Sequence, residues 1–240
     1  MNSFYLIPLT LSLFLVSCKS TKESSGNVES STNNVLTQGH IHYSVSMESD
    51  SEQMKMALAM MGESSMDIYF NNNKNRTEID MGGMSKNTIV SNGETGKKLF
   101  LIEIPMMNSK KAVVDGKDED EEIVKTEVKH FDETKTILGY VCKKVVVTSD
   151  DGKNFTESTM FVTEEINPKN IKNRYFPNEV NGMALWIKVN SETEMGSVTT
   201  TLEATEISKD IPSDDLFKTD IPEGYEKTTL EELKKSGIVK

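Results

Sequence analysis

Cysteine is nearly missing from this 240-residue sequence, with two in all. A disulfide-stapled scaffold needs many more in a much shorter chain. Positive charge is scarce as well. Lys and Arg total 27 against 38 Asp and Glu, a formal net charge of −11. A nucleic-acid binder normally carries the opposite balance, because its affinity rests on neutralising phosphates. There are three histidines, His40, His42 and His130, and none lies in an HExxH motif. No GxSxG elbow or CxxC pair occurs. Gly93-Glu94-Thr95-Gly96-Lys97-Lys98 has two residues between its glycines where a P-loop needs four, so it reads as a hairpin turn. No segment reaches the ~20 apolar residues of a membrane-spanning helix. Long disorder is excluded too, since aliphatic and aromatic residues recur along most of the chain.

The first residues read as an address. Met1 to Ser17 carry no charged side chain, and Phe4 to Val16 form an apolar run broken by Pro8. Its length suits a signal-peptide core. It ends in Leu15-Val16-Ser17-Cys18, which resembles the bacterial lipobox. Cleavage before Cys18 would make it the new N-terminus and the lipid-attachment site. Acyl chains contribute ~0.8 kcal/mol of membrane affinity per CH₂, so two or more anchor a protein stably. Residues 18–37 are then the lipidated cysteine and a flexible tether rich in Ser, Thr and Asn. No acidic cluster follows the cysteine, which favours a periplasm-facing position on the outer membrane.

Residues 38–240 read as one β-rich domain. Ile41, Tyr43, Val45 and Met47 alternate along a half-buried strand. Met66, Ile68 and Phe70 alternate before Asn71-Asn72-Asn73, and the chain returns through Arg76 to Asp80. Thr88–Ser91 and Leu99–Ile104 flank a second turn, with Pro105 ending the strand. Ile137–Thr148 and Phe155–Thr163 flank Asp150-Asp151-Gly152. Met183 to Val189 alternate, and Val198–Ile207 returns beside them. Successive hairpins require antiparallel pairing.

Helices are few. Asp50 with Gln53 looks like a capping box for a helix over 51–61, stopped by Gly62. Asn167-Pro168 opens a short helix to about Arg174. Thr228 with Glu231 caps another. The expected fold is α+β but mostly β. It is a single large curved antiparallel sheet, an open half-barrel, with a few helices covering the concave face. The acidic run Asp115–Glu122 reads as a solvated loop rather than a calcium site, because it lacks the EF-hand spacing. Cys142, on an alternating strand, reads as a buried inert thiol.

Methionine is concentrated. Ten of the fourteen lie between Met47 and Met107. Met54, Leu58 and Met61 share one face of the first helix. Thioethers adapt to irregular gaps and varied ligands. Met54, Leu58, Met61, Met66 and Trp186 are therefore candidates to line a site for a hydrophobic ligand. Thioether and imidazole ligands also suit Cu(I) or Ag(I), with His40 and His42 preceding Met47. No cofactor is implied, and no acid/base pair can be singled out.

Four segments together carry a resemblance. They are Gly39–Met47, Arg76–Ile79, Ile137-Leu138-Gly139-Tyr140-Val141-Cys142-Lys143-Lys144, and Asp215–Tyr225 with its Asp-Ile-Pro-Glu-Gly-Tyr ending. They resemble signatures of an uncharacterised Gram-negative lipoprotein domain family similar to the LolA/LolB-like outer-membrane lipoprotein-sorting fold. The resemblance implies an open half-barrel with helices on its concave side, where the sorting proteins hold acyl chains. The expected function is that of a lipid-anchored, non-enzymatic envelope protein binding a lipid or acyl chain. A structural or partner-binding lipoprotein, and a periplasmic Cu(I)/Ag(I) binder, are the alternatives.

Overall fold

The computed structural model describes residues 35–115, 125–150, 155–168, 180–193 and 196–235. The signal peptide, Cys18, the tether to Asn34, all but the first residue of the acidic loop and the helix expected after Pro168 lie outside the described residues.

Among the described residues, twelve strands form one sheet. In chain order they are β1 (Gln38–Ser49), β2 (Ser64–Asn71), β3 (Lys74–Met81), β4 (Lys86–Asn92), β5 (Lys97–Ile104), β6 (Ser109–Asp115), β7 (Lys125–Ile137), β8 (Tyr140–Asp150), β9 (Phe155–Thr163), β10 (Met183–Thr193), β11 (Gly196–Ser208) and β12 (Glu226–Lys227). Their order across the sheet is β12-β6-β5-β4-β3-β2-β1-β11-β10-β9-β8-β7. Two antiparallel meanders, β1–β6 and β7–β11, are thus joined through the β1–β11 pair. This differs from a simple chain-order meander. Ile137–Thr148, expected as one strand, is divided by the turn Leu138-Gly139 between β7 and β8.

The topology forces curvature. Ten strand spacings of ~4.8 Å would set β6 and β7 about 48 Å apart in a flat sheet. Only residues 116–124 join them, and ten extended steps reach at most about 36 Å. The sheet curls but stays open. Its inner face is identified by a bridge. Leu36 pairs with Ile166, with Leu36 N–H donating to the Glu165 carbonyl at 2.7 Å. These segments flank β1 and β9, which lie three spacings apart. They meet only by folding over the face that carries Ile41 and Tyr43, where both join the main core.

That core includes Ile41 and Tyr43 of β1, Met66, Ile68 and Phe70 of β2, Met160 of β9, Ile187 of β10 and Leu202 of β11. A second core lies on the opposite face. Cross-strand partners share a face. The register His40–Tyr69–Arg76–Val90–Leu99 therefore places Val90 and Leu99 with His40, not with Ile41. Val90, Leu99, Leu101 and Ala112 form this cluster. The C-terminal segment straps over it. Ile221 and Tyr225 pack on the cluster, and Phe217 of the 3₁₀ turn Asp214–Phe217 is buried. β12 then pairs parallel to β6.

Both edges are blunted. β12 lies along β6, and β7 carries a register irregularity between His130 and Thr134. Helix α1 (Glu52–Ala59) lies against β1. Its cap is Ser51, one residue beyond the expected Asp50, whose carboxylate instead accepts from Ser197 N–H. Likewise α2 (Leu230–Lys235) is capped by Thr229 and Glu232, not Thr228 and Glu231. Glu232 N–H donates to Thr229 Oγ1 at 3.2 Å, and Thr229 N–H to Glu232 Oε2 at 3.1 Å.

Candidate functional site

The inner face does not end at the main core. Register carries it onward through Ile79 of β3, Ile89 of β4, and Phe100 and Ile102 of β5, to the buried Val113 of β6. Ile79 packs on the main core. Ile89, Phe100 and Ile102 are half-exposed and belong to neither core. A strip of apolar side chains thus extends along the concave side. Its position follows from the local sequence. Leu99-Phe100-Leu101-Ile102 is continuously apolar, so one strand supplies the strapped core with Leu99 and Leu101 and the strip with Phe100 and Ile102.

The five residues expected to line a ligand site are dispersed. Met66 is buried in the main core. Met54, Leu58 and Met61 are half-exposed, and α1 buries no residue. Leu58 helps line an open cleft of about 510 Å³ between α1 and β1, with Met47 and Lys55. Trp186, beside core residue Ile187, is half-buried and packs against the main core. It meets Phe161 edge-on, 5.8 Å between centroids, under the Lys135 ammonium at 5.5 Å. The expected set misses Ile89, Phe100 and Ile102. Their signal was the continuous run on β5.

Methionine instead gathers at one end of the sheet. Met56, Met60, Met84, Met106 and Met107 are all exposed. They sit on α1 and on the turns before β2, between β3 and β4, and between β5 and β6, all at the end where β1 finishes.

The histidines do something else. His40 Nε2 and His42 Nδ1 both contact Asp67 Oδ1, at 2.7 and 2.8 Å. His40 also stacks on Tyr69, 4.3 Å between centroids. This outer-face cluster ties β1 to β2. Among the described residues, no three His, Cys, Asp or Glu side chains are placed to hold a metal ion. Met47 belongs to the opposite face of β1 from His40 and His42.

A second cleft, about 400 Å³, lies under the C-terminal strap. Leu99, Leu101, Ile221 and Tyr225 line it, with Arg76 and Lys218 among its polar groups. Arg76 Nε donates to Glu78 Oε1 at 2.6 Å, and Lys86 Nζ lies 3.2 Å from Glu78 Oε2. Burial raises the Glu78 pKa, but the two cations more than reverse that and hold it below the ordinary carboxylate value. The Tyr225 hydroxyl donates to Glu103, which Lys110 also pairs at 2.9 Å. These hydrogen bonds hold the Glu103 carboxyl below its usual range. Burial, and then the Glu103 partner, raise the Tyr225 phenol. The strap is therefore fastened by charge-assisted contacts around an apolar floor.

Cys142 is fully buried and unpaired by disulfide. Burial, and then the nearby Glu165 carboxylate, push its thiol up to about 11. A thiol so protonated is a poor nucleophile. No family model matches the chain, and no curated protein matches it. Among the described residues, no helix is long and apolar enough to cross a membrane.

Proposed function

We propose that this chain is a lipid-anchored, non-enzymatic lipoprotein of the cell envelope that holds a hydrophobic ligand on its concave face. The anchor is Cys18, on the outer membrane and facing the periplasm. The ligand is a lipid or acyl chain. The observation that carries this reading is the half-exposed strip Ile89, Phe100 and Ile102, continuous with the main core through Ile79. An open, curled sheet leaves such side chains accessible from one side, and an acyl chain laid on them removes apolar area from water. The LolA/LolB-like resemblance of residues 39–226 supports the same face. Native mass spectrometry of protein purified from its own membranes tests it. A co-purifying lipid that is lost in Phe100→Asp is expected. A ligand-free wild-type protein overturns the reading. The mass of the N-terminal peptide reports Cys18 acylation independently.

The exposed methionines favour a second reading, a partner-binding lipoprotein. Thioethers make an adaptable apolar surface for a protein partner. Crosslinking from Met106→Cys in intact membranes would trap that partner, and a ligand carrier would show none.

A further inference from the structure

The end of the sheet opposite the methionines carries a different apolar feature. β7 and β8 are joined by Leu138 and Gly139 alone, with φ of +49° and +88°. A two-residue hairpin of this kind needs positive φ at both positions, which is why Asn-Gly is its usual sequence. Leucine in that conformation is strained by roughly 1–2 kcal/mol. Nor does the fold reward it, since Leu138 is 48% exposed and Val141 is 56% exposed. A bulky apolar side chain is thus held in a costly turn and presented to water.

Its surroundings suit a membrane surface. From Thr134 to Lys144 there are three lysines and no carboxylate, in a chain of net charge −11. Lys135 and Lys143 are exposed, and Lys135 lies over the rings of Phe161 and Trp186. Lys144 is paired with Glu133 at 2.8 Å. Asp132 adjoins Glu133 on β7, Glu203 lies across the strand from Trp186, and Glu164 and Glu165 are exposed at the end of β9. Long cationic side chains and an indole around an apolar tip match the layering of a bilayer interface.

The tip also lies at the end of the sheet where the described chain begins. Leu36 is hydrogen-bonded to Glu165, so the chain enters the sheet beside β9 and the start of β8. Seventeen residue steps separate Cys18 from Val35. The exposed methionines lie the length of β1 away, about 40 Å.

We propose that the β7–β8 hairpin tip, Leu138 and Val141, inserts into the phospholipid bilayer that holds the anchor, with Lys135, Lys143 and Trp186 at headgroup level. This rests on the lipid anchor proposed above. The test uses the full chain, purified from membranes and reconstituted in phosphatidylcholine–phosphatidylglycerol vesicles. An environment-sensitive fluorophore is attached at Leu138→Cys or, as control, at Met106→Cys. Blue-shifted emission quenched by brominated lipid is expected at 138 and not at 106. The sole tryptophan gives a label-free measure. Quenching of Trp186 by brominated lipid should fall several-fold in Leu138→Asn, a substitution the turn geometry favours and which therefore does not threaten folding. An anchored chain whose label at 138 stays aqueous, or responds no more than the label at 106, overturns the proposal. Absence of lipid on Cys18 defeats the anchor instead, and the hairpin is then judged by the same shift on added vesicles.

Discussion

Tyr43 donates its phenolic proton to the carbonyl of Ala184, 2.9 Å away and 141 positions along the chain. The bond reaches from β1, across β11, to β10 and so ties the two meanders together on the concave side. Tyr43 is completely buried. Tyr43→Phe keeps the ring but leaves a buried carbonyl without this donor. A loss of about 1–2 kcal/mol is expected, read as a lower urea midpoint with an unchanged slope.

Alkaline pH acts on the same region. Burial, and then Cys142, raise the Tyr43 phenol above its ordinary value. Cys142 itself rises from 9.0 to about 11. Both groups are held protonated by the fold, so between these values the native state binds more protons than the unfolded one. The stabilisation is complete below about pH 9 and is lost as pH rises toward 11. Thermal midpoints measured across that range should fall. The fall should be shallower in Cys142→Ala, at a lower overall midpoint because a cavity replaces the thiol.

How much of this was legible in the sequence depends on which forces write a pattern. β1, β2, β5 and β9–β11 bury alternate residues, so their side chains announce them. β7 does not. Its sequence Lys125–Ile137 is mostly polar because it is an edge strand with an exposed, irregular middle. Strand order was hidden too, since pairing of β1 with β11 is a contact between distant segments with no local signature. The continuous run on β5 carried the trace of an apolar surface on each face, but only register reveals that Leu99 points to the strapped core and Phe100 to the concave strip. His40 and His42 were legible as sharing a face. Asp67 between them was not, because nothing near position 40 specifies which carboxylate lies across the strand.

Acid should loosen the strap side. Glu78 is only 19% exposed and accepts from Arg76 while pairing with Lys86. Its lowered pKa means that the stabilisation is present above the ordinary value of 4.5 and is lost as pH falls below it, through the folded-state value. Glu78→Gln should cost about 1–2 kcal/mol at neutral pH, because a neutral amide replaces the carboxylate that pairs with both Arg76 and Lys86. The same variant should show a flatter loss of stability between neutral and acidic pH in urea titrations.

Backbone geometry makes a sharper demand at Gly182. Its φ is +102°, and a Cβ there would lie 2.2 Å from the Thr163 carbonyl oxygen. That oxygen belongs to β9, paired beside the start of β10. Neither strand can withdraw without breaking the ladder. Gly→Ala at a compatible position gains ~0.4–1 kcal/mol, but Gly182→Ala should cost on the order of 2–4 kcal/mol, measured by chemical unfolding.

The concave strip separates stability from binding. Phe100 is half-exposed, while its neighbours Leu99 and Leu101 are buried in the strapped core. Replacing Leu101 by Ala should destabilise the protein by about 2–4 kcal/mol, because it opens a cavity under Tyr225. Replacing Phe100 by Asp removes apolar surface that the fold only partly buries, so the cost should be near 1 kcal/mol. If the strip holds an acyl chain, the ranking inverts for binding. Phe100→Asp should weaken uptake of a fluorescent fatty acid at least ten-fold, and Leu101→Ala should leave it nearly unchanged once the variant is confirmed folded. Equal effects of the two substitutions on uptake would place the ligand elsewhere, most directly in the cleft under the strap that Leu101 lines.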